Sequence, residues 1–137
     1  MTRTTILLAG VGMLSWGVWA MFAELATRTL EPEVAMVISY VAGVTVAVGY
    51  IVSQGLSPTL SGSGVGYAIA GGLFSGVGAI SYYAALQHGS AAIATTVTAL
   101  YFVVAAILGV VFLGESVGVR DVAAIALAVG AVALLST

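Results

Sequence analysis

The sequence has no cysteine and very few charged residues. Three basic and five acidic side chains among 137 residues make up 6% of the chain. Soluble domains carry roughly 25% charged residues, so these eight could not cover the surface of a water-soluble globule. The absence of cysteine excludes a secreted disulfide scaffold, and three basic residues cannot form a patch that binds nucleic acid. The lone histidine, His88, offers no metal site, and no catalytic triad or carboxylate pair is evident, so we expect no enzyme activity, no metal and no cofactor.

Apolar residues fill most of the chain instead. They make up 61% of it, and the mean hydropathy is +1.21. No lysine, arginine, aspartate or glutamate lies between Glu33 and Glu115. A helix needs about 20 apolar residues to cross the roughly 30 Å hydrocarbon core of a bilayer. The pattern therefore predicts an all-α, polytopic membrane protein that forms one domain over residues 1–137. Its five spans are predicted at about residues 4–23, 33–53, 65–86, 91–113 and 119–135.

Local signals separate these spans. Pro32 between Glu31 and Glu33 suits the first turn of the second helix, where acidic residues favour the positive helix end. The glycine- and serine-rich stretch 54–64 predicts the clearest loop. Glu115 and Asp121 bracket the start of the fifth span, where they are expected to fix a tight turn.

Helical spacing groups aromatic, hydroxyl and small residues on one face of each of the first four spans. Tryptophan and tyrosine usually lie at membrane interfaces, yet several here fall in the inner part of their spans. Such groups need an interhelical hydrogen bond, an interfacial anchor or a wet cavity, and the sequence leaves these alternatives open. The residues that we select as candidates for a substrate cavity are Trp16, Trp19, Tyr40, Gly43, Phe74, Gly78, Thr98 and Tyr101.

Two further features bear on helix packing and on mechanism. Gly72 and Gly76 form a small-xxx-small pair, which predicts close helix packing in lipid. Glu24 ends the first apolar run four residues before Arg28, so it is either a helix-end ion-pair partner or an acid that carries a proton during transport.

The basic residues bear on orientation. Five spans place the two termini on opposite sides, with Arg3 and Arg120 on one side and Arg28 on the other. The positive-inside rule then favours a cytoplasmic N-terminus by one residue. So small a bias permits insertion in both orientations, which would allow an antiparallel homodimer.

Several segments are similar to a known family. They are 14–22 (Leu-Ser-Trp-Gly-Val-Trp-Ala-Met-Phe), 83–94 (Tyr-Ala-Ala-Leu-Gln-His-Gly-Ser-Ala-Ala-Ile-Ala), 98–101 (Thr-Ala-Leu-Tyr) and 110–115 (Val-Val-Phe-Leu-Gly-Glu). Together with the glycine-punctuated last span they resemble the EamA module of the drug/metabolite transporter superfamily. The most specific part of this resemblance is Leu113-Gly114-Glu115. The resemblance covers nearly the whole chain.

The resemblance implies export or exchange of small metabolites across the cytoplasmic membrane. Larger members join two such modules in ten spans, so this chain resembles a short, single-module member, or half a transporter. Family members commonly have a proline where Phe102 stands, and without it the sequence offers no cause for a kink in the fourth span.

We therefore expect a secondary transporter that works by alternating access as a dimer of modules, antiparallel or paired with another half-transporter. Its aromatic and nearly uncharged faces favour an apolar or aromatic metabolite. Two alternatives stay open, a component of a lipid-carrier flippase and a non-transporting accessory membrane subunit.

Overall fold

A computed structural model describes residues 3–135, and within that range the chain forms helices and turns without a strand. The helices are α1 (Arg3–Thr27), α2 (Pro32–Ser53), α3 (Gly62–His88), α4 (Ala91–Ala99), α5 (Tyr101–Leu113) and α6 (Val119–Leu135). The prediction of an all-α fold is confirmed.

Four segments of the described chain are long and apolar enough to cross a membrane. They are Arg3–Thr27, Pro32–Ser53, Gly62–His88 and the combined segment Ala91–Leu113. The 17 described residues of α6 would measure about 26 Å, at the lower limit for a span. This architecture is that of a polytopic membrane protein.

Helix ends differ from the predicted spans for local reasons. Helix α1 continues four residues beyond position 23, and an ion pair joins Glu24 in this extension to Arg28, which follows the last helical residue. Helix α3 begins at Gly62, three residues earlier than predicted, because the Ser61 hydroxyl accepts a hydrogen bond from the Gly64 N–H at 3.2 Å. Pro32 occupies the first turn of α2, as predicted.

The fourth span is interrupted at Leu100, although the sequence offered no cause for a kink there. The Leu100 N–H bonds to the Val97 carbonyl at 3.1 Å, and the Val103 N–H bonds to the Leu100 carbonyl at 2.9 Å. Both bonds span three residues instead of four, so a tighter 3₁₀-type turn separates α4 from α5. The interruption therefore forms without a proline at position 102.

The chain divides into two compact units, Met1–Gly89 and Ser90–Thr137. In the first unit α1, α2 and α3 contact one another, and we call the end where α1 finishes, α2 starts and α3 finishes the closed end. The buried residues of this unit all lie there: Ala20, Ala23, Pro32, Ala35, Ala79, Tyr82, Tyr83 and Leu86. We call the opposite part, residues 3–18, 41–53 and 62–78, the exposed end, because none of its residues is buried.

In the second unit, α4 contacts α6. Helix α6 starts with half of a capping box, since the Gly118 N–H donates to Asp121 Oδ2 at 2.9 Å. The expected role of Asp121 at the start of this helix is confirmed.

Candidate functional site

Trp19 joins the three helices of the first unit. Its ring stacks on Tyr82 with centroids 5.2 Å apart, and it meets Tyr83 edge-on at 5.8 Å. Its indole N–H donates to the Ser39 Oγ at 3.0 Å, which connects α1 to α2. For Trp19 the structure thus shows the interhelical hydrogen bond that the sequence left open as one alternative.

The three rings of Trp19, Tyr82 and Tyr83 form an aromatic cluster at the closed end. Tyr82 and Tyr83 are perpendicular to each other with centroids 6.1 Å apart, and Tyr83 is only 1% exposed. Edge-to-face and offset-stacked rings at these distances attract one another beyond their shared contact area. The cluster therefore holds the C-terminal halves of α1 and α3 together.

Tyr40 makes the second contact between helices. Its hydroxyl lies 2.8 Å from the Ser75 Oγ and donates to the Ser75 carbonyl at 3.2 Å, so it ties α2 to α3 beside the exposed end. Tyr40 too has an interhelical hydrogen bond, although more than a third of its surface stays exposed.

The other predicted cavity residues are not brought together within either unit. Trp16 is 64% exposed and Phe74 is 82% exposed, both on the exposed end. A Cβ added at Gly43 or Gly78 would meet nothing within 4 Å. In the second unit, Thr98 and Tyr101 are exposed on either side of the interruption at Leu100. Their assignment to a cavity stays a prediction.

A Cβ added at Gly72 or Gly76 would meet nothing within 4 Å. The close packing predicted at this pair is therefore not seen among the described residues, and it stays a prediction.

Glu24 pairs with Arg28 at the closed end. Arg28 Nη2 lies 2.8 Å from Glu24 Oε1. The Arg28 side chain is 64% exposed and the Glu24 side chain is 29% exposed. The helix-end ion pair expected from their spacing is confirmed. An exposed pair one turn apart contributes only a few tenths of a kcal/mol to helix stability.

The same two residues line a cavity of about 410 Å³. Its other lining residues are Thr27, Leu86 and Gln87. In both α1 and α3 the lining residues follow the aromatic cluster along the chain, so the cavity lies on the outer side of that cluster. Its walls combine a carboxylate, a guanidinium, an amide and a hydroxyl, which suits water and polar groups.

The Leu113-Gly114-Glu115 segment ends α5 in a specific way. Gly114 has a φ of 67°, a left-handed conformation that glycine adopts without strain. The N–H groups of Gly114 and Glu115 both donate to the Gly109 carbonyl. The Glu115 carboxylate folds back over Gly109. A Cβ added at Gly109 would collide with Glu115 Oε2 and lie 3.1 Å from Glu115 Cδ. The motif is therefore a helix stop with a carboxylate placed over a glycine.

Sequence reasoning missed four residues that make the contacts between helices, namely Ser39, Ser75, Tyr82 and Tyr83. The adjacent tyrosines at positions 82 and 83, near the end of an apolar run, were a usable signal. The two serines carried none, since serine is common in spans as a helix-packing residue.

Four long apolar segments, each with most of its surface uncovered, define a multi-pass membrane protein. A family model described as the EamA-like transporter family matches residues 3–137. The chain therefore belongs to the EamA-like transporter family, as a single module of the drug/metabolite transporter superfamily, and is a membrane transporter of that type. No curated protein and no solved structure matches it significantly.

Proposed function

We propose that the chain is a secondary transporter, an exporter or exchanger, of small apolar or aromatic metabolites in the cytoplasmic membrane. It works by alternating access as a dimer of two modules. One observation carries this proposal: two large rings at the exposed end, Trp16 of α1 and Phe74 of α3, are left uncovered by their own unit.

Trp16 is 64% exposed and Phe74 is 82% exposed, and a Cβ added at Gly12 or Gly78 of the same helices would meet nothing within 4 Å. One wall of rings cannot enclose a small molecule, whereas ligand sites bury most of their ligand's surface. A second copy of the chain would supply the opposite wall. A fifth span formed by α6 would suit this role, because two modules with an odd number of spans, related by inversion, place a site between them near the membrane midplane.

The chemistry of the residues around the exposed end favours an uncharged or aromatic substrate. No lysine or arginine lies between Arg28 and Arg120, so the spans in between offer an anion no positive partner. Aromatic rings bind other rings by offset stacking and edge contacts. The Tyr40 and Ser75 hydroxyls, already 2.8 Å apart, add one polar point at which a substrate could be oriented.

The test is solute flux through proteoliposomes that contain the purified chain alone. The vesicles are loaded in turn with radiolabelled aromatic amino acids, nucleosides and aromatic cations. We expect saturable flux of at least one of these compounds. Phe74→Ala should lower that flux several-fold, whereas Leu73→Ala, which truncates an adjacent, exposed aliphatic side chain and removes no ring, should not.

Two outcomes would favour another function. Faster movement of fluorescent lipid probes without solute flux would indicate a flippase component. Flux that requires a second protein would indicate an accessory subunit. Equal flux in the Phe74→Ala and Leu73→Ala variants would show that the Phe74 ring does not line the substrate path.

A further inference from the structure

The polar cavity at the closed end lies apart from the uncovered rings of the exposed end. It has a volume of about 410 Å³ and lies between the C-terminal ends of α1 and α3. Cavities of this size accommodate small ligands. Its polar lining combines the carboxylate of Glu24, the guanidinium of Arg28 and the amide of Gln87, so it suits a ligand that carries charge.

The cavity lies at the level of the lipid headgroups. Helix α1 has 25 residues and α3 has 27, which correspond to about 38 Å and 41 Å of helix. The hydrocarbon core of a bilayer is about 30 Å thick, so part of each helix extends beyond it. Glu24 and Arg28 follow the apolar run of α1, and charged residues at a helix end lie in the polar interface. The headgroups of the bilayer therefore surround this cavity.

Two hydrogen-bond donors of the cavity are available to a ligand. Arg28 donates to Glu24 through Nη2, and its side chain is 64% exposed, so other N–H groups of the guanidinium can still donate. The Gln87 side-chain amide is exposed and makes no hydrogen bond with the part of the chain that the structure describes. A guanidinium and an amide together suit phosphate oxygens, which arginine binds through two parallel N–H groups.

The charges near the cavity favour a zwitterion over an anion. Glu24 lines the cavity beside Arg28, and Glu31 and Glu33 flank the start of α2 at the same end. One arginine is thus opposed by three glutamates, whereas recognition of anionic lipids relies on several basic residues. A zwitterion fits this balance, because its negative group can meet Arg28 while its positive group meets Glu24.

We propose that the cavity binds the headgroup of a zwitterionic phospholipid with a primary ammonium, such as phosphatidylethanolamine. Arg28 and Gln87 hold the phosphate, and the Glu24 carboxylate accepts a hydrogen bond from the ammonium. The bound headgroup joins the ends of α1 and α3. A free solute with a phosphate and a primary amine has the same chemistry, and the experiment distinguishes it from the lipid.

Lipid binding is measured by native mass spectrometry of the purified chain in mild detergent. Phosphatidylethanolamine, phosphatidylcholine and phosphatidylglycerol with identical acyl chains are added in turn. We expect one phosphatidylethanolamine per chain, bound several-fold more tightly than phosphatidylcholine, whose quaternary ammonium donates no hydrogen bond. Phosphatidylglycerol, which has no ammonium, should also bind several-fold more weakly. Phosphatidylethanolamine should raise the melting temperature most, because it joins two helices.

Two pairs of variants test the residues. Arg28→Gln should lower the affinity for phosphatidylethanolamine about ten-fold or more, the factor expected for a hydrogen bond between charged groups. Arg120→Gln is the matched control, because it removes the same charge at a residue that does not line the cavity. Gln87→Ala should lower the affinity about two- to ten-fold, whereas Gln54→Ala, which changes a glutamine outside the cavity, should not. The melting temperature without lipid shows that each variant is folded.

Equal affinities in Arg28→Gln and Arg120→Gln would overturn the proposal. Equal binding of the three lipids would also overturn it, because the cavity would then select no headgroup. If water-soluble phosphoethanolamine binds as tightly as the lipid, the cavity is a site for a free solute and the lipid is rejected. The proposal does not depend on the transport function, since binding is measured without a solute gradient.

Discussion

Replacing Tyr83 with alanine tests whether the closed end is the stable core of the first unit. Tyr83 is the largest fully buried side chain of the described residues, and its ring contacts both Trp19 and Tyr82. Deleting it removes two aromatic contacts, each worth about 0.5–1.5 kcal/mol, and leaves a cavity. Buried aromatic-to-alanine changes typically cost about 3–5 kcal/mol, and we expect a loss in this range for Tyr83→Ala.

The matched control is Phe74→Ala, which deletes a ring nine residues earlier on the same helix. Phe74 is exposed, so its removal leaves no internal cavity and should change the free energy of unfolding by no more than about 0.5 kcal/mol. Tyr83→Phe, which keeps the ring, should cost less than about 1.5 kcal/mol.

The assay is reversible unfolding in detergent micelles by added denaturant, followed by circular dichroism. In a Trp16→Phe background the emission of Trp19 becomes a local probe, because the chain has only two tryptophans. Tyr83→Ala should shift this emission to longer wavelength as water reaches the indole. Equal destabilisation by Tyr83→Ala and Phe74→Ala would refute the assignment of the core to the closed end.

Three other substitutions have defined outcomes. Gly109→Ala should force the Glu115 carboxylate off α5. The substitution should therefore be better tolerated in a Glu115→Ala background, with a coupling of about 0.5–1 kcal/mol in a double-mutant unfolding cycle. Additive effects would contradict the observed contact. Glu24→Gln should abolish flux driven by a pH gradient but leave substrate exchange and folding largely intact, since the ion pair of Glu24 with Arg28 stabilises the helix little. Gradient-driven flux that survives the substitution would show that Glu24 is an ion-pair partner and carries no proton. Gly76→Leu should weaken the proposed dimer, as measured by oligomeric state in mild detergent, because the longer side chain would overfill a close helix contact. An unchanged dimer would place the glycine pair outside the dimer interface.

Much of the fold could be predicted from the sequence because a bilayer imposes simple rules. A long run without charge must be helical to satisfy its own backbone hydrogen bonds, and Pro32 marks where α2 starts. The periodicity of a single helix also shows which residues share a face. It does not show which faces meet, so the contacts of Trp19 with Ser39 and Tyr82 came only from the structure.

Two local features were outside the reach of sequence patterns for another reason. The interruption at Leu100 depends on a switch from four-residue to three-residue hydrogen bonds, which no residue type there demands. The Glu115 side chain could have pointed to solvent, as charged residues at helix ends usually do. Its contact with Gly109 depends on the wide turn set by the left-handed Gly114.

The central claim is that two copies of this module form one transporter. The most direct measurement is initial solute flux as the amount of protein per vesicle is lowered into the range where single copies predominate, with the copy number counted by single-molecule photobleaching. If a dimer is the transporting unit, flux should fall with the square of the protein-to-lipid ratio in this range, and vesicles that hold one copy should be silent. Flux that stays proportional to protein content, with activity in single-copy vesicles, would contradict the account.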